Sequence, residues 1–563
     1  MPTHQLAAVA LAAIVSFCAA LAGAEPAHRA PNILLIVADD MGYSDIGALG
    51  GEIDTPNLDA LAAAGVLFTS FHTGPTCSPT RAMLLSGVDA HRAGLGNMAE
   101  LLADRQLGKP GYEGYLNDRV ASIAEILRDH GYATAISGKW HLGREPGRLA
   151  SDRGFERSFT LLQGGASHFD QRGLSPNDPV ALYRDNGAPA RLPAGRFSSD
   201  YYTDRLLEFL AAERGGKPFF GYLAFTAPHW PLQAPDALIE KYAARYAEGW
   251  GRVQARRGER QRQRGLPGTA LPVAPANAAW DALDEQQRRV AARKMAIYAA
   301  MVDNMDHNIG RVLDWLRTNR RYDDTLIVFM SDNGATDGSQ LETLPAMRAW
   351  LELEFDNRFE NLGRRGSYVE YGARWAAVSN TPFSDFKGTT REGGIRVPAI
   401  FKLPAPAGAG ARIDDWVSVL DVVPTLLGFA GVELPAADAA GAMRYRGRQV
   451  YHPVGRDLGE ALRNPGAPLP PAVQALEFSG KRMVYEGGYK AVYDRFDGRA
   501  SSWRLFDIAA DAGETRDLAA ALPERLAALV RHYHAFAERN GVVELADDYS
   551  AQDSFLQRER GNR

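Results

Sequence analysis

Four polar groups, Asp39-Asp40, Lys139 with His141, His229, and Asp332-Asn333, each follow closely on a short apolar run. Taken singly each has an ordinary role, since an aspartate can cap a helix or open a turn and a lone histidine can be satisfied inside a packed core. Taken together they supply three carboxylates and an amide, an all-oxygen set suited to a hard cation. Calcium is the expected ion and magnesium the second choice. Zinc is disfavoured, because no closely spaced pair of histidines accompanies the acids. Cys77 is a separate chemical centre. Residues 76–87 read as a turn entering a short helix, with Pro79 near the first helical position and Gly87 at the stop. Cys77 then lies at a helix N-terminus, where free N–H groups favour an anion, and Arg81 one turn along adds a full positive charge on the same face. A small buried cysteine in a packed loop is the plainer reading, and it leaves the cationic surroundings without a purpose.

The runs that precede these groups, residues 33–37, 134–137, 219–225 and 325–330, are apolar, β-branched or aromatic, as is a fifth at 397–401. They read as buried strands. Helical patterns lie between them at 122–129, at 201–212 and in a segment ending near Trp315, where Tyr298, Met301, Val302, Met305, Ile309, Val312, Leu313 and Leu316 share one face. Alternating strands and helices predict an α/β fold, a large and mostly parallel sheet sandwiched by helices, with ligands beyond the carboxyl ends of the strands. Past Pro435 the pattern changes to short strands at 475–478, 483–485, 489–493 and 503–506, then a helix over 523–539, with Glu486-Gly487-Gly488 as a hairpin turn. This predicts a catalytic domain over residues 30–435 and a smaller C-terminal domain over 436–563, an antiparallel sheet plus one helix. The stretch holding Arg252, Arg256, Arg257, Arg260, Arg262 and Arg264, followed by Pro267, Pro272 and Pro275, reads as an inserted surface loop, a solvated excursion in preference to a substrate-steering lid.

The chain has 563 residues, 45% of them hydrophobic and 23% charged, so it can bury a large core. A net charge of −5 argues against a nucleic-acid binder held by bulk charge, and any anion site must be local. Residues 6–22 resemble the apolar core of a secretory signal, with Ala22-Gly23-Ala24 as its cleavage site and 1–24 as the signal peptide. An uncleaved membrane anchor is the alternative, because His4 and the amino terminus are the only sources of positive charge before the apolar stretch. Cleavage would remove Cys18 and export a chain whose one cysteine, Cys77, cannot form an internal disulfide. The expected location is periplasmic or secreted, without stable membrane association.

Cys77-Ser78-Pro79-Thr80-Arg81 resembles the signature in which type I sulfatases have their cysteine oxidised to formylglycine, and residues 82–87 continue it. The likeness to bacterial arylsulfatases runs from Asn32 to about Val543. It includes Gly138-Lys139-Trp140-His141-Leu142-Gly143, Ala227-Pro228-His229, Ser331-Asp332-Asn333-Gly334, Lys387-Gly388-Thr389-Thr390-Arg391-Glu392-Gly393-Gly394 and the late Gly513-Glu514-Thr515-Arg516-Asp517-Leu518. Thr80 stands where many members have Ser, which leaves the Cys-x-Pro-x-Arg core intact.

The resemblance implies an alkaline-phosphatase-like fold, hydrolysis of sulfate esters, and a maturation enzyme that converts Cys77 to formylglycine before export. The hydrated aldehyde would offer one hydroxyl to attack sulfur and one to help expel sulfate. One calcium ion is implied on Asp39, Asp40, Asp332, Asn333 and residue 77, with Asp332 also taking a proton from the attacking hydroxyl. Arg81 and Lys139 would hold the formylglycine oxygens, and His141 would accept the second hydroxyl's proton. Lys387 and His229 would bind sulfate and protonate the departing oxygen, His229 titrating near neutrality. Two other functions fit the same residue types: a phosphonate monoester or phosphodiester hydrolase of the same superfamily, and a calcium-dependent carbohydrate-binding protein without turnover.

Overall fold

The computed structural model describes residues 30–213, 215–267, 278–338, 345–405, 407–494, 500–546 and 549. The signal-like stretch with Cys18, and Pro272 and Pro275, lie outside the described residues. Seven strands form the centre of an eleven-stranded sheet: β1 (Asn32–Ala38), β2 (Val66–His72), β3 (Ala133–Lys139), β4 (Arg157–Leu161), β5 (Phe219–Ala224), β6 (Thr325–Ser331) and β7 (Arg396–Lys402). Strands β6, β1, β5, β3 and β4 lie side by side in parallel. Strand β7 runs antiparallel to both β6 and β2, so the sheet is mixed at this side. Thr69, Ser70 and His72 interrupt the apolar run of β2, so no strand is legible there from the sequence.

Alternation along β1 assigns its side chains to two cores. Leu34 and Ile36 face a cluster with Leu206 and Leu210 of one helix and Met301, Met305 and Ile309 of another. Ile33, Leu35 and Val37 face a second cluster with Met83, Leu84, Ile123 and Leu127. The helices are α1 (Cys77–Ser86), α2 (Ile123–Asp129), α3 (Ser198–Ala212), α4 (Trp250–Gln263) and α5 (Glu285–Thr318). Capping boxes from Ser122 to Glu125 and from Asp284 to Gln287 fix where α2 and α5 begin. Among the described residues no helix is long and apolar enough to cross a membrane.

Near the C-terminus, β8 (Val473–Phe478), β9 (Lys481–Glu486), β10 (Tyr489–Asp494) and β11 (Ser502–Asp507) form an antiparallel meander. Gly487 and Gly488, with φ of 57° and 85°, make the tight turn between β9 and β10 that the sequence predicts. One face of this sheet packs Val484, Ala491 and Leu505 against Leu529 and Tyr533 of α6 (Pro523–Asn540). The other face adds Leu476, Met483, Val492 and Phe506 to the core beneath β1.

The arginine-rich stretch is not a loop. It forms α4, whose Val253, Arg257 and Gln261 recur every four residues on a buried face. Two of these three are polar, so no apolar periodicity marked the helix. Arg257 is fully buried and donates to Asp45 Oδ1 at 2.6 Å and to both carboxylate oxygens of Glu52 at 2.7 Å. Removing one partner from a buried charge cluster strands the others, so Arg257→Ala should cost about 3–5 kcal/mol in denaturant unfolding. The exposed neighbour, Arg256→Ala, should stay within about 1 kcal/mol. Equal costs would contradict this placement.

Candidate active site

The sheet brings the predicted groups to one edge. Asp39 and Asp40 directly follow β1, and Asp332 and Asn333 follow β6, whose last residue Ser331 is in register with Ala38. Asp40 N therefore donates to Asp332 Oδ1 at 3.2 Å, and Met41 N to Ser331 Oγ at 2.9 Å. Lys139 ends β3. The residue before it must be glycine, because a Cβ on Gly138 would lie 1.8 Å from the carbonyl oxygen of Ala224 on β5. The loop after β5 is tied to β1 through Asp39 N and Ala227 O at 3.1 Å, which carries His229 inward. Asp40 and His141 adopt left-handed backbone, with φ of 64° and 54°, an uncommon conformation for residues with side chains that concentrates at functional sites.

Cys77 is the first residue of α1 and is 1% exposed. Its Sγ donates to Asp39 Oδ1 at 3.3 Å and lies 3.6 Å from Asp40 Oδ1. Around it stand three cations, Arg81 and Lys139 fully buried and Lys387 partly so. Lys387 Nζ is 3.1 Å from the sulfur and 2.7 Å from Asp40 Oδ1. Lys139 Nζ is 2.8 Å from both oxygens of Asp39. Arg81, one turn along α1, donates from Nε to Asp332 Oδ2 at 2.9 Å and from Nη1 to the carbonyl oxygen of Lys139 at 3.3 Å. Tyr222 on β5, which sequence reasoning missed, meets the same guanidinium at 3.4 Å.

Burial, reinforced by Asp332, pushes the Cys77 thiol well above its ordinary value, so the sulfur is a neutral thiol and a poor nucleophile as it stands. His229 Nδ1 donates to the carbonyl oxygen of Trp230 at 2.6 Å, which leaves Nε2 to face Asp40 Oδ2 at 3.5 Å. Burial, together with Lys387 and Lys139, lowers this imidazole well below its ordinary value despite Asp40. That corrects the expectation of titration near neutrality. An anionic ester beside Nε2 would shift the group back upward, since a nearby opposite charge favours the protonated ring. His141 Nε2 pairs with Glu100 Oε1 at 3.1 Å, while its buried Nδ1 has no hydrogen-bond partner among the described residues. Glu100, in the short 3-10 turn Ala99–Leu101, carries no sequence signal, being one acid among many.

These residues fit a hard cation. Burial, strengthened by Asp332 and Asp40 and opposed by Lys139 and Arg81, raises Asp39 to about 7, so its charge lacks solvation that a bound cation would replace, while against burial Lys387, His229 and Lys139 hold Asp40 well below the usual carboxylate range. Asn333 is fully buried and donates from Nδ2 to Asp40 Oδ1 at 2.7 Å, while its Oδ1 has no partner among the described residues. Ligand atoms of Asp39, Asp40, Cys77 and His229 lie within 4.8 Å of one another. His229 was not predicted in that group, and Asp332 stands outside it, gripped by Arg81.

Comparison with known proteins places this geometry. Residues 31–432 match the sulfatase family. An uncharacterized sulfatase of Schizosaccharomyces pombe is 42% identical over 546 residues, 94% of this chain and 97% of that one. An arylsulfatase of Klebsiella aerogenes is 40% identical over 438 residues, 75% of this chain and 92% of its own. Among solved structures, i-CgsB in complex with k-i-k-neocarrahexaose superposes with a TM-score of 0.64 at 25% identity, covering 95% of this chain and 98% of that one. A phosphonate monoester hydrolase of Agrobacterium radiobacter shares the fold at a TM-score of 0.52 and 20% identity, over 91% of this chain and 95% of its own. With a site of buried carboxylates and cations around Cys77 at the edge of an alkaline-phosphatase-like sheet, this chain belongs to the sulfatase family and is a hydrolase of sulfuric esters.

Proposed function

We propose that the chain hydrolyses sulfate esters to an alcohol or phenol and inorganic sulfate, using a formylglycine made from Cys77 beside a calcium ion. The observation that carries this is the position of Cys77, at a helix N-terminus with Asp39, Asp40 and the Asp40-paired ammonium of Lys387 all within 3.6 Å of its sulfur. Formylglycine would supply, as its hydrate, two hydroxyls on one carbon, one to attack sulfur and one to help expel sulfate afterwards, which a thiol cannot do. Asp39, Asp40, Asp332 and Asn333 would hold the ion, which when bound supplies charge that polarises the sulfate.

The chain's own groups do the rest. Asp332 takes the proton of the attacking group, while Arg81 and Lys139 hold the oxygens at position 77. His141 Nδ1, its ring oriented by Glu100, is free to receive a proton as sulfate departs. Lys387 Nζ binds the sulfate, and His229 Nε2 delivers a proton to the leaving oxygen. Charge grows on that oxygen as the S–O bond breaks, so positioned cations in a water-poor site stabilise the transition state more than the substrate. The apolar stretch before residue 30 supports export to the periplasm or outside the cell, after a maturation enzyme has acted on Cys77.

The test is turnover of nitrophenyl sulfate against an aryl phosphonate, with released sulfate measured directly. A higher kcat/KM for the phosphonate would contradict the assignment. His229 gives a sharper expectation. An activated phenol leaves nearly as a stable anion, whereas an alkyl or sugar alcohol needs its proton during bond breaking. His229→Ala should therefore lower kcat/KM by about 10²- to 10⁴-fold for an alkyl or sugar sulfate that the wild type accepts, and much less for nitrophenyl sulfate. Equal losses on both would assign His229 to sulfate binding alone.

A further inference from the structure

The late motif at residues 513–518 takes no part in the reaction above, yet it is bound to the segment that carries Lys387. Glu514 is 3% exposed. Its Oε2 accepts from Glu392 N at 2.9 Å and from Ser384 Oγ at 3.0 Å, and its carbonyl oxygen accepts from Arg391 Nη2 at 3.2 Å. Lys490, on β10 and fully buried, places Nζ 3.0 Å from Glu514 Oε1 and 2.8 Å from Glu392 Oε1. The second oxygen of Glu392 meets His72 Nε2 at 3.1 Å and Arg396 Nη1 at 3.2 Å. One ammonium group thus bridges two buried carboxylates, one within the Lys387 motif and one within the late motif.

The segment pinned in this way, residues 384–394, touches both halves of the site. Gly388 N donates to Pro75 O at 2.8 Å, two residues before Cys77, and Gly334 N donates to Gly394 O at 3.0 Å, one residue after Asn333. Lys387 N donates to Ala335 O at 3.0 Å. From the C-terminal sheet, Lys481 Nζ reaches Gly388 O at 2.9 Å. Lysine is a point charge on a flexible stem, so the ammonium of Lys387 is placed only as well as its loop is.

We propose that Lys490 is a positioning residue, which by bridging Glu392 and Glu514 holds the 384–394 loop so that Lys387 Nζ faces position 77. The inference rests on the role given to Lys387 above. Buried ion pairs contribute little to net stability, and fixing one arrangement is their better-attested use. Here that arrangement couples the C-terminal sheet to a cation of the active site.

The test uses Lys490→Met in the full chain, made in the wild-type and Lys387→Ala backgrounds. A misplacement of about 1 Å can cost about 10²-fold, so the wild-type background should lose about 10- to 100-fold in kcat/KM on nitrophenyl sulfate. In the Lys387→Ala background the loss should shrink to less than about twofold, because the group acted through is gone. Hydrogen exchange should rise at residues 384–394 and stay unchanged in β1 and β6, a readout independent of turnover. If Lys490→Met does not fold, Lys490→Met with Glu514→Gln removes one charge of each sign and is read in the same way. Equal losses in both backgrounds, or unaltered exchange at 384–394, would overturn the proposal. A wild type without turnover contradicts the sulfatase reading alone, and exchange then decides the role of Lys490.

Discussion

Cys77→Ala is expected to lower kcat/KM for an aryl sulfate by at least about 10⁴-fold, because the change removes the residue proposed to become the nucleophile. The fold should survive, since the sulfur packs against carboxylates and a lysine and fills no apolar cavity. Far-UV circular dichroism and a melting curve would separate lost chemistry from lost structure. Cys77→Ser should be nearly as inactive when made in a host whose maturation system accepts only cysteine. Near-native turnover by the alanine variant would end the formylglycine account.

The second large effect concerns the carboxylates. Asp332→Ala strands the buried guanidinium of Arg81, and Asp39→Ala strands the buried ammonium of Lys139. Each should cost about 3–5 kcal/mol of stability, as leaving a buried charge without its partner does. Each should also abolish most activity, since the proposed reaction assigns Asp39 to the cation and Asp332 to the cation and to the proton of the attacking group. Removing the ion from the unaltered chain should lower the melting temperature as well, because a ligand present at about 100 times its Kd stabilises the native state by about 2.7 kcal/mol. The measurements are melting curves with and without chelator and metal analysis of extensively dialysed protein. Unchanged melting with no retained metal at full activity would remove the cation from the account.

Much of the site was legible because the strands that carry it are buried on both faces and so read as continuous apolar runs. Asp39, Lys139 and Asp332 mark the ends of β1, β3 and β6, and parallel pairing then dictates that they converge. The four strands and α6 near the C-terminus were visible for a related reason, a clear change from long to short apolar runs. What escaped were contacts between polar residues far apart in the chain. Lys490 and Glu392 are separated by 98 positions, and His141 and Glu100 by 41, so topology alone chooses these partners. The helix from Trp250 to Gln263 escaped for want of apolar residues, since its buried face carries Arg257 and Gln261 bonded to buried polar groups. Strand β7 was legible as an apolar run, but its antiparallel insertion between β6 and β2 was not, and polar residues concealed β2.

The chemical identity of residue 77 in protein that is turning over substrate decides whether formylglycine is the working group. Peptide mass spectrometry of the segment spanning Thr76 to Arg81, on the preparation used for kinetics, measures it. The expected result is an aldehyde or its hydrate at position 77, with sulfur lost and oxygen gained, in a fraction that tracks specific activity across preparations. A wholly unmodified thiol in fully active enzyme would contradict it.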